Sequence, residues 1–144
     1  MTPNTRTNLA ATLLRIALAA SYLSAVADRF GFWGQPGTGS VAWGNFENFL
    51  AYTATLNWFA PPALIPFLGW SATIAEVLIA LALLTGFYLT TASLASTLLL
   101  LTFALTMTLA TGPEPPLSYS VWTATTASLL LTTLQSNNPQ TTPT

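Results

Sequence analysis

The sequence contains no cysteine and no histidine. Without them the chain can form no disulfide, thiol redox centre or Cys/His zinc site. It also has no histidine to ligate a haem or to act as a general base. No motif in the sequence marks a catalytic residue or a metal site, so we predict neither.

Charge is also scarce, because charged residues make up only 5% of the chain and lysine is absent. An ordinary soluble domain carries about 25% charged residues. The formal net charge of −1 favours neither nucleic-acid binding nor a polybasic lipid-binding surface. Hydrophobic residues make up 52% of the chain, more apolar surface than so few charges can keep in water. We therefore predict an integral membrane protein whose main partner is the lipid bilayer.

Four apolar segments cover residues 9–27, 65–84, 87–110 and 117–134. Each is close to the roughly 20 residues that a helix needs to cross the hydrocarbon core. The fourth segment is the weakest, since serine and threonine interrupt it repeatedly. We predict an all-α, four-transmembrane-helix bundle that forms a single domain over residues 8–134. The polar tail, residues 135–144, is predicted to be disordered.

The first loop contains a glycine-rich stretch followed by an aromatic one. Large residues recur at helical spacing over residues 43–56, which predicts an amphipathic helix lying at the membrane interface. With four spans, all five tryptophans fall on the side of this loop. They indicate either simple anchoring or a structured aromatic cap.

The first apolar segment has an alternative interpretation as a secretory signal peptide. Arg6 supplies a basic start, and residues 25–27 resemble a cleavage site. Arg15 interrupts the apolar region, however, and three further apolar segments follow, so we predict a retained helix. The distribution of arginines favours cytoplasmic termini.

Arg15 and Glu76 lie inside two of the predicted spans. A charge at that depth is costly and needs a partner or a water path. Counted from the same surface, Arg15 lies at roughly 9 Å and Glu76 at roughly 12 Å. We therefore predict a buried Arg15–Glu76 ion pair between the first two helices. The alternatives are that Arg15 extends to the surface, and that Glu76 is protonated and bonded to Thr73 or another helix.

Asp28 and Arg29 end the first segment at the predicted outer interface. Adjacent helical residues point in different directions, so these two need not bond each other. Arg29 could instead meet Glu47 or Glu114 on the same side. Surface anchoring is the leading interpretation, and the alternative is a polar site on this face for a lipid headgroup or a quinone. Its residues are Asp28, Arg29, Trp43, Glu47 and Tyr119.

Six short stretches give the chain a family resemblance. They are LLRIAL (13–18), LSAVADRFG (23–31), WGNF (43–46), ATIAE (72–76), LLTG (83–86) and PLSYSV (116–121). In this order and spacing the chain resembles the DoxX family over most of residues 12–134. The resemblance implies a small four-helix protein of the bacterial or archaeal plasma (inner) membrane. It also implies relatives that include a membrane subunit of a thiosulfate:quinone oxidoreductase and partners of thiol-redox or oxidative-stress proteins.

Three functions are compatible with these features. The first is a non-catalytic subunit or scaffold of a membrane redox or stress-related complex, with a redox enzyme as partner. The second is a quinone-linked oxidoreductase subunit that uses Glu76 as a proton acceptor. The third is a small transporter, for which the only hint is the threonines of the fourth segment: Thr123, Thr125, Thr126 and Thr132.

Overall fold

The computed structural model describes residues 3–136, with side chains from residue 5 onwards. Its six α-helices are α1 (Pro3–Arg29), α2 (Phe46–Leu56), α3 (Ile65–Thr85), α4 (Leu89–Thr111), α5 (Glu114–Ser118) and α6 (Val121–Ser136). A short 3₁₀ turn, Pro62–Leu64, leads into α3. The described part of the chain contains no strand, which confirms the predicted all-α class.

Three helical segments are long and apolar enough to cross a membrane: Thr5–Arg29, Pro62–Thr85 and Leu89–Thr111. The fourth segment, 117–134, is not the single continuous helix that the sequence predicts. The chain turns at Ser120, which has a φ of 58°, and this turn separates α5 from α6. At 16 residues, α6 is about 24 Å long, which is shorter than the roughly 30 Å of hydrocarbon.

Helix ends follow local residue chemistry. Asn45 caps α2, because its side chain accepts a hydrogen bond from the Asn48 amide at 2.8 Å. The helix therefore begins at Phe46, inside the predicted range of 43–56. Gly86 ends α3 with a φ of 85°, the left-handed conformation that glycine adopts without strain.

The predicted disordered tail overlaps the last helix. Gln135 and Ser136 belong to α6, and the Gln135 side chain is buried. The prediction was therefore wrong for these two residues. Residues 137–144 lie outside the described residues.

Helices α1, α3, α4 and α6 pack into one bundle, in which the contacts of α4 with α6 and of α1 with α3 are the most extensive. Small side chains allow this close approach. Ala19, Ala80, Ser93, Ser96 and Ser128 are all fully buried. Polar contacts also cross the helix interfaces. The Tyr22 hydroxyl lies 2.8 Å from the Ser96 hydroxyl, and Ser128 donates to the Ser93 carbonyl at 3.1 Å.

The loop and helix that follow α1, residues 30–60, form a cap over one end of the bundle. Within this cap, α2 packs on both α3 and α4. The contact with α3 is close at Gly69, where an added Cβ would meet the Leu50 side chain and lie 3.4 Å from a Phe49 ring carbon. The cap therefore occupies the space beside the first turns of α3.

Candidate functional site

The centre of the site is an ion pair between the last residue of α1 and a residue near the middle of α3. Arg29 Nη2 donates to Glu76 Oε1 at 2.8 Å, and Arg29 Nη1 lies 2.8 Å from Glu76 Oε2. Nη1 also donates to the Thr73 hydroxyl at 2.8 Å, and that hydroxyl donates to the Gly69 carbonyl at 2.9 Å. The charged side chains are only 3% and 2% exposed. Each charge thus has an opposite charge beside it in a place that excludes water.

Two aromatic rings of the cap enclose the guanidinium. Arg29 Cζ lies 3.8 Å from the ring centroid of Phe49 and 5.4 Å from that of Trp43. Both distances are within the roughly 6 Å over which a ring attracts a cation. The two rings also pack edge to face, with centroids 5.3 Å apart. The cap therefore binds the charge of Arg29 as well as covering it.

Asp28 has different partners from its neighbour Arg29. Its Oδ2 accepts hydrogen bonds from the backbone amides of Ala42 at 3.1 Å and Trp43 at 2.8 Å. Asp28 is 6% exposed. The two adjacent charges thus attach different parts of the molecule to the end of α1. Asp28 holds the loop, and Arg29 holds α3 and the rings of the cap.

The predicted Arg15–Glu76 pair does not form. Arg15 Nε donates instead to the Leu83 carbonyl at 2.9 Å, and the Arg15 side chain is only partly buried. Leu83 lies two helical turns beyond Glu76, about 10 Å along α3. The prediction failed because it aligned the ends of the two apolar segments. In the fold α1 is displaced along α3, so that its last residue, not its middle, lies beside Glu76.

The predicted outer-face site assembles only in part. The structure brings Asp28, Arg29 and Trp43 together, and Trp43 packs against Tyr52 with centroids 6.2 Å apart. Burial raises the pKa of the Tyr52 phenol, and the nearby Tyr119 phenol raises that pKa further. Tyr119 itself is 74% exposed. It therefore lies at the edge of the cap.

The two remaining acids do not meet Arg29. Glu47, in the first turn of α2, and Glu114, in α5, are both exposed. Glu114 accepts a hydrogen bond from the Ser118 hydroxyl at 2.6 Å, within its own helix. The alternative contacts of Arg29 with Glu47 or Glu114 therefore do not form, since Glu76 binds the guanidinium.

Sequence reasoning missed Phe49 and the role of Arg29 as the partner of Glu76. Arg29 follows the apolar segment, so its place in the sequence indicates the membrane surface and not a partner of Glu76 inside the span. The signal that could have identified the pair is the small number of cations available to a carboxylate inside the membrane. Glu76 needs a cation, and only three arginines exist.

Comparison of the chain with protein-family models, with curated proteins and with solved structures gives no match.

Proposed function

We propose that the chain is a four-span integral membrane protein that acts as a non-catalytic subunit or scaffold of a membrane redox or stress-related complex. The observation that carries this proposal is the use made of the buried charges. Arg29 of α1 binds Glu76 of α3, and Asp28 of α1 binds the backbone of the cap. Charges with these partners hold α1, α3 and the cap together, which is a structural role.

The fourth span in this proposal is α6, preceded by the short helix α5. Support comes from the packing of α6 along α4, with Ser128 bonded to Ser93 across the interface. A helix that packs along a membrane-spanning helix lies in the same layer of the bilayer. Together α5 and α6 cover residues 114–136, enough chain to cross despite the turn at Ser120.

The engaged polar groups favour a scaffold over the two alternatives. In α6 the hydroxyls of Thr125, Thr126 and Thr132 donate to carbonyls one turn earlier in the same helix. Such bonds are the usual state of a threonine in an apolar helix and do not indicate a transport path. A quinone site at Glu76 would need a donor for the quinone carbonyl, and Nη1 and Nη2 of the guanidinium beside it already bind Thr73 and Glu76. Nε of Arg29 has no hydrogen-bond partner among the described residues, but it is buried.

Membership of the DoxX family, with a bacterial or archaeal plasma membrane and cytoplasmic termini, is part of the same proposal. Because the sequence contains no cysteine, the membrane topology of the chain can be tested with single introduced cysteines. Single cysteines at Asn8, Gln35 and Ser136 can be labelled in intact cells with a membrane-impermeant maleimide. We expect only Gln35→Cys to react. Reaction of only one of Asn8→Cys and Ser136→Cys would place the two positions on opposite sides of the membrane and contradict the fourth span.

The scaffold role is tested by affinity capture of the full chain from native membranes. We expect one redox or stress-related enzyme to be recovered in a fixed ratio to the chain. The exposed variant Glu47→Gln should recover it equally, as a control for the capture itself. Reproducible recovery of the chain alone would contradict the scaffold role, and recovery with a bound quinone in place of a partner would favour the oxidoreductase alternative.

A further inference from the structure

The turn between α3 and α4, residues 86–88, lies at one surface of the bilayer if the chain spans the membrane as proposed above. The segments on either side of it, Pro62–Thr85 and Leu89–Thr111, are both long and apolar enough to cross. The turn carries two exposed rings, Phe87 and Tyr88, which pack edge to face with centroids 4.4 Å apart. Tyrosine is enriched at the headgroup level of membranes. The turn therefore marks the depth at which lipid phosphates lie.

The guanidinium of Arg15 lies beside this turn, although Arg15 itself is in the middle of α1. Arg15 Nε donates to the Leu83 carbonyl at 2.9 Å, two residues before α3 ends at Thr85. A Cβ added at Gly86, the first residue of the turn, would lie 3.3 Å from Arg15 Nη2. The side chain is thus fixed to the end of α3, and it brings a positive charge to the level of the membrane surface.

Most of the hydrogen-bonding capacity of Arg15 is unused. The bond from Nε is the only hydrogen bond that its side chain makes within the described residues. Nη1 and Nη2 carry the other four N–H donors of a guanidinium. The side chain is also partly buried. Because water does not surround it on all sides, an anion beside it is attracted more strongly than in bulk water.

Two of the four acidic residues of the chain are already engaged elsewhere. Asp28 accepts hydrogen bonds from two backbone amides of the cap. Glu76 is paired with Arg29, about 10 Å along α3 from the carbonyl that Arg15 binds. Neither carboxylate is therefore the counter-ion of Arg15.

The other two acids lie at the opposite end of the bundle. Glu114 follows α4, whose 23 residues extend for about 34 Å from the turn at residues 86–88. Glu47 belongs to α2, which contacts α3 at Gly69, about 25 Å along the helix from Gly86. None of the four acidic side chains thus reaches Arg15, and an anion for it has to come from elsewhere.

We propose that Arg15 binds one phosphate group at the membrane surface through Nη1 and Nη2. The phosphate belongs to a phospholipid headgroup or is free phosphate, since both present the same oxyanion. A guanidinium can donate two parallel hydrogen bonds to two phosphate oxygens, and Nε meanwhile keeps its bond to Leu83. Water could accept the same hydrogen bonds but would not supply the missing negative charge.

Arg6 provides a matched control on the same helix. It carries the same charge and is exposed. It lies nine residues before Arg15, which is two and a half helical turns and about 14 Å along α1, so that it is on the opposite side of the helix. A general attraction between positive charge and anionic lipid would involve both arginines, whereas the proposed site requires only Arg15.

The experiment uses the full chain in an uncharged detergent that contains no phosphate. Native mass spectrometry measures the binding of phosphatidylglycerol and, separately, of diacylglycerol with the same acyl chains. We expect phosphatidylglycerol to bind with a Kd about tenfold lower, which corresponds to about 1.4 kcal/mol. Because the acyl chains are identical, the difference comes from the phosphate-containing headgroup.

Inorganic phosphate, added at the same concentration as the lipid, distinguishes the two sources. Displacement of phosphatidylglycerol would support the site with free phosphate as its ligand. Retention of the lipid would support the site with a phospholipid headgroup as its ligand.

Three variants locate the binding. Arg15→Gln should abolish the preference for phosphatidylglycerol over diacylglycerol, and Arg6→Gln should leave it unchanged. Arg15→Lys keeps the charge but not the planar fork, so it should lose most of the preference. Helicity measured by circular dichroism shows whether each variant is folded, and if Arg15→Gln is not, Arg15→Lys decides the result.

Equal binding of the two lipids by the unmodified chain would overturn the site. An equal loss of the preference in Arg6→Gln and Arg15→Gln would show only a general attraction of anionic lipid, and would also overturn it. The cysteine-labelling experiment tests the membrane spans independently. Failure of the phosphate site is therefore distinguishable from failure of the membrane location on which it rests.

Discussion

Arg29 and Glu76 are 47 positions apart in the sequence and form a buried ion pair, with Arg29 Nη1 2.8 Å from Glu76 Oε2. The pair joins the end of α1 to the middle of α3, and the cap closes over it through the Phe49 ring. Three separate parts of the chain are thereby fixed to one guanidinium.

Removal of one partner of the pair should be more harmful than replacement of both. Arg29→Met or Glu76→Met leaves a buried charge without compensation, which costs about 3–5 kcal/mol in the free energy of unfolding. The double variant removes both charges and should lose less than either single variant. Unfolding in mixed micelles, followed by tryptophan fluorescence, measures the three losses.

The exposed acid Glu47 provides the control for these variants. Glu47→Met changes the same type of residue at the surface and should alter the free energy by no more than about 0.5 kcal/mol. If the losses of Arg29→Met and Glu76→Met simply add in the double variant, the two side chains are not coupled and the pair has no energetic role.

Arg15 should behave independently of Glu76. Arg15→Gln removes a hydrogen bond to the Leu83 carbonyl from a partly buried side chain, and we expect a loss of about 1 kcal/mol. Combined with Glu76→Gln, the losses should add to within about 0.5 kcal/mol, because the two residues share no partner. The same micelle titration measures this cycle. A coupling above 1 kcal/mol would restore the pairing expected from the sequence and contradict the displaced packing of α1.

Asp28 should control the order of the first loop. Asp28→Ala leaves the amides of Ala42 and Trp43 without their acceptor, at a cost of about 1–3 kcal/mol. Asp28→Asn keeps one acceptor oxygen and should lose less. Hydrogen exchange followed by mass spectrometry should show faster exchange over residues 40–44 in Asp28→Ala than in Asp28→Asn. Unchanged protection of that segment in Asp28→Ala would refute the role.

Two glycines of the cap form a matched pair of tests. Gly44 and Gly37 both have positive φ, +67° and +82°, so alanine costs about 1–2 kcal/mol at either. At Gly44 an added Cβ would also lie 2.7 Å from the backbone nitrogen of Pro36, whereas nothing lies within 4 Å at Gly37. Gly44→Ala should therefore cost about 1–3 kcal/mol more than Gly37→Ala. Thermal unfolding in detergent measures the difference, and equal costs would contradict the packing of Pro36 on Gly44.

The amino-acid sequence by itself determined the helical class and most of the helix positions. The scarcity of charge and the long apolar segments predicted membrane-compatible helices, and three of them have the necessary length and composition. Asn45 and Gly86 are local signals, so the start of α2 and the end of α3 could be read from single residues. The polar break before the fourth segment was also visible, but not the turn at Ser120.

Only the tertiary structure decided which charges meet. The displacement of α1 along α3 depends on contacts between side chains far apart in the sequence, and apolar segments carry no local mark of such a register. Arg29 reaches Glu76 because the cap, with Phe49, takes the space beyond the end of α1. Hydropathy fixes which residues lie within a helix, whereas the fit of side chains between helices fixes how far one helix is displaced along another.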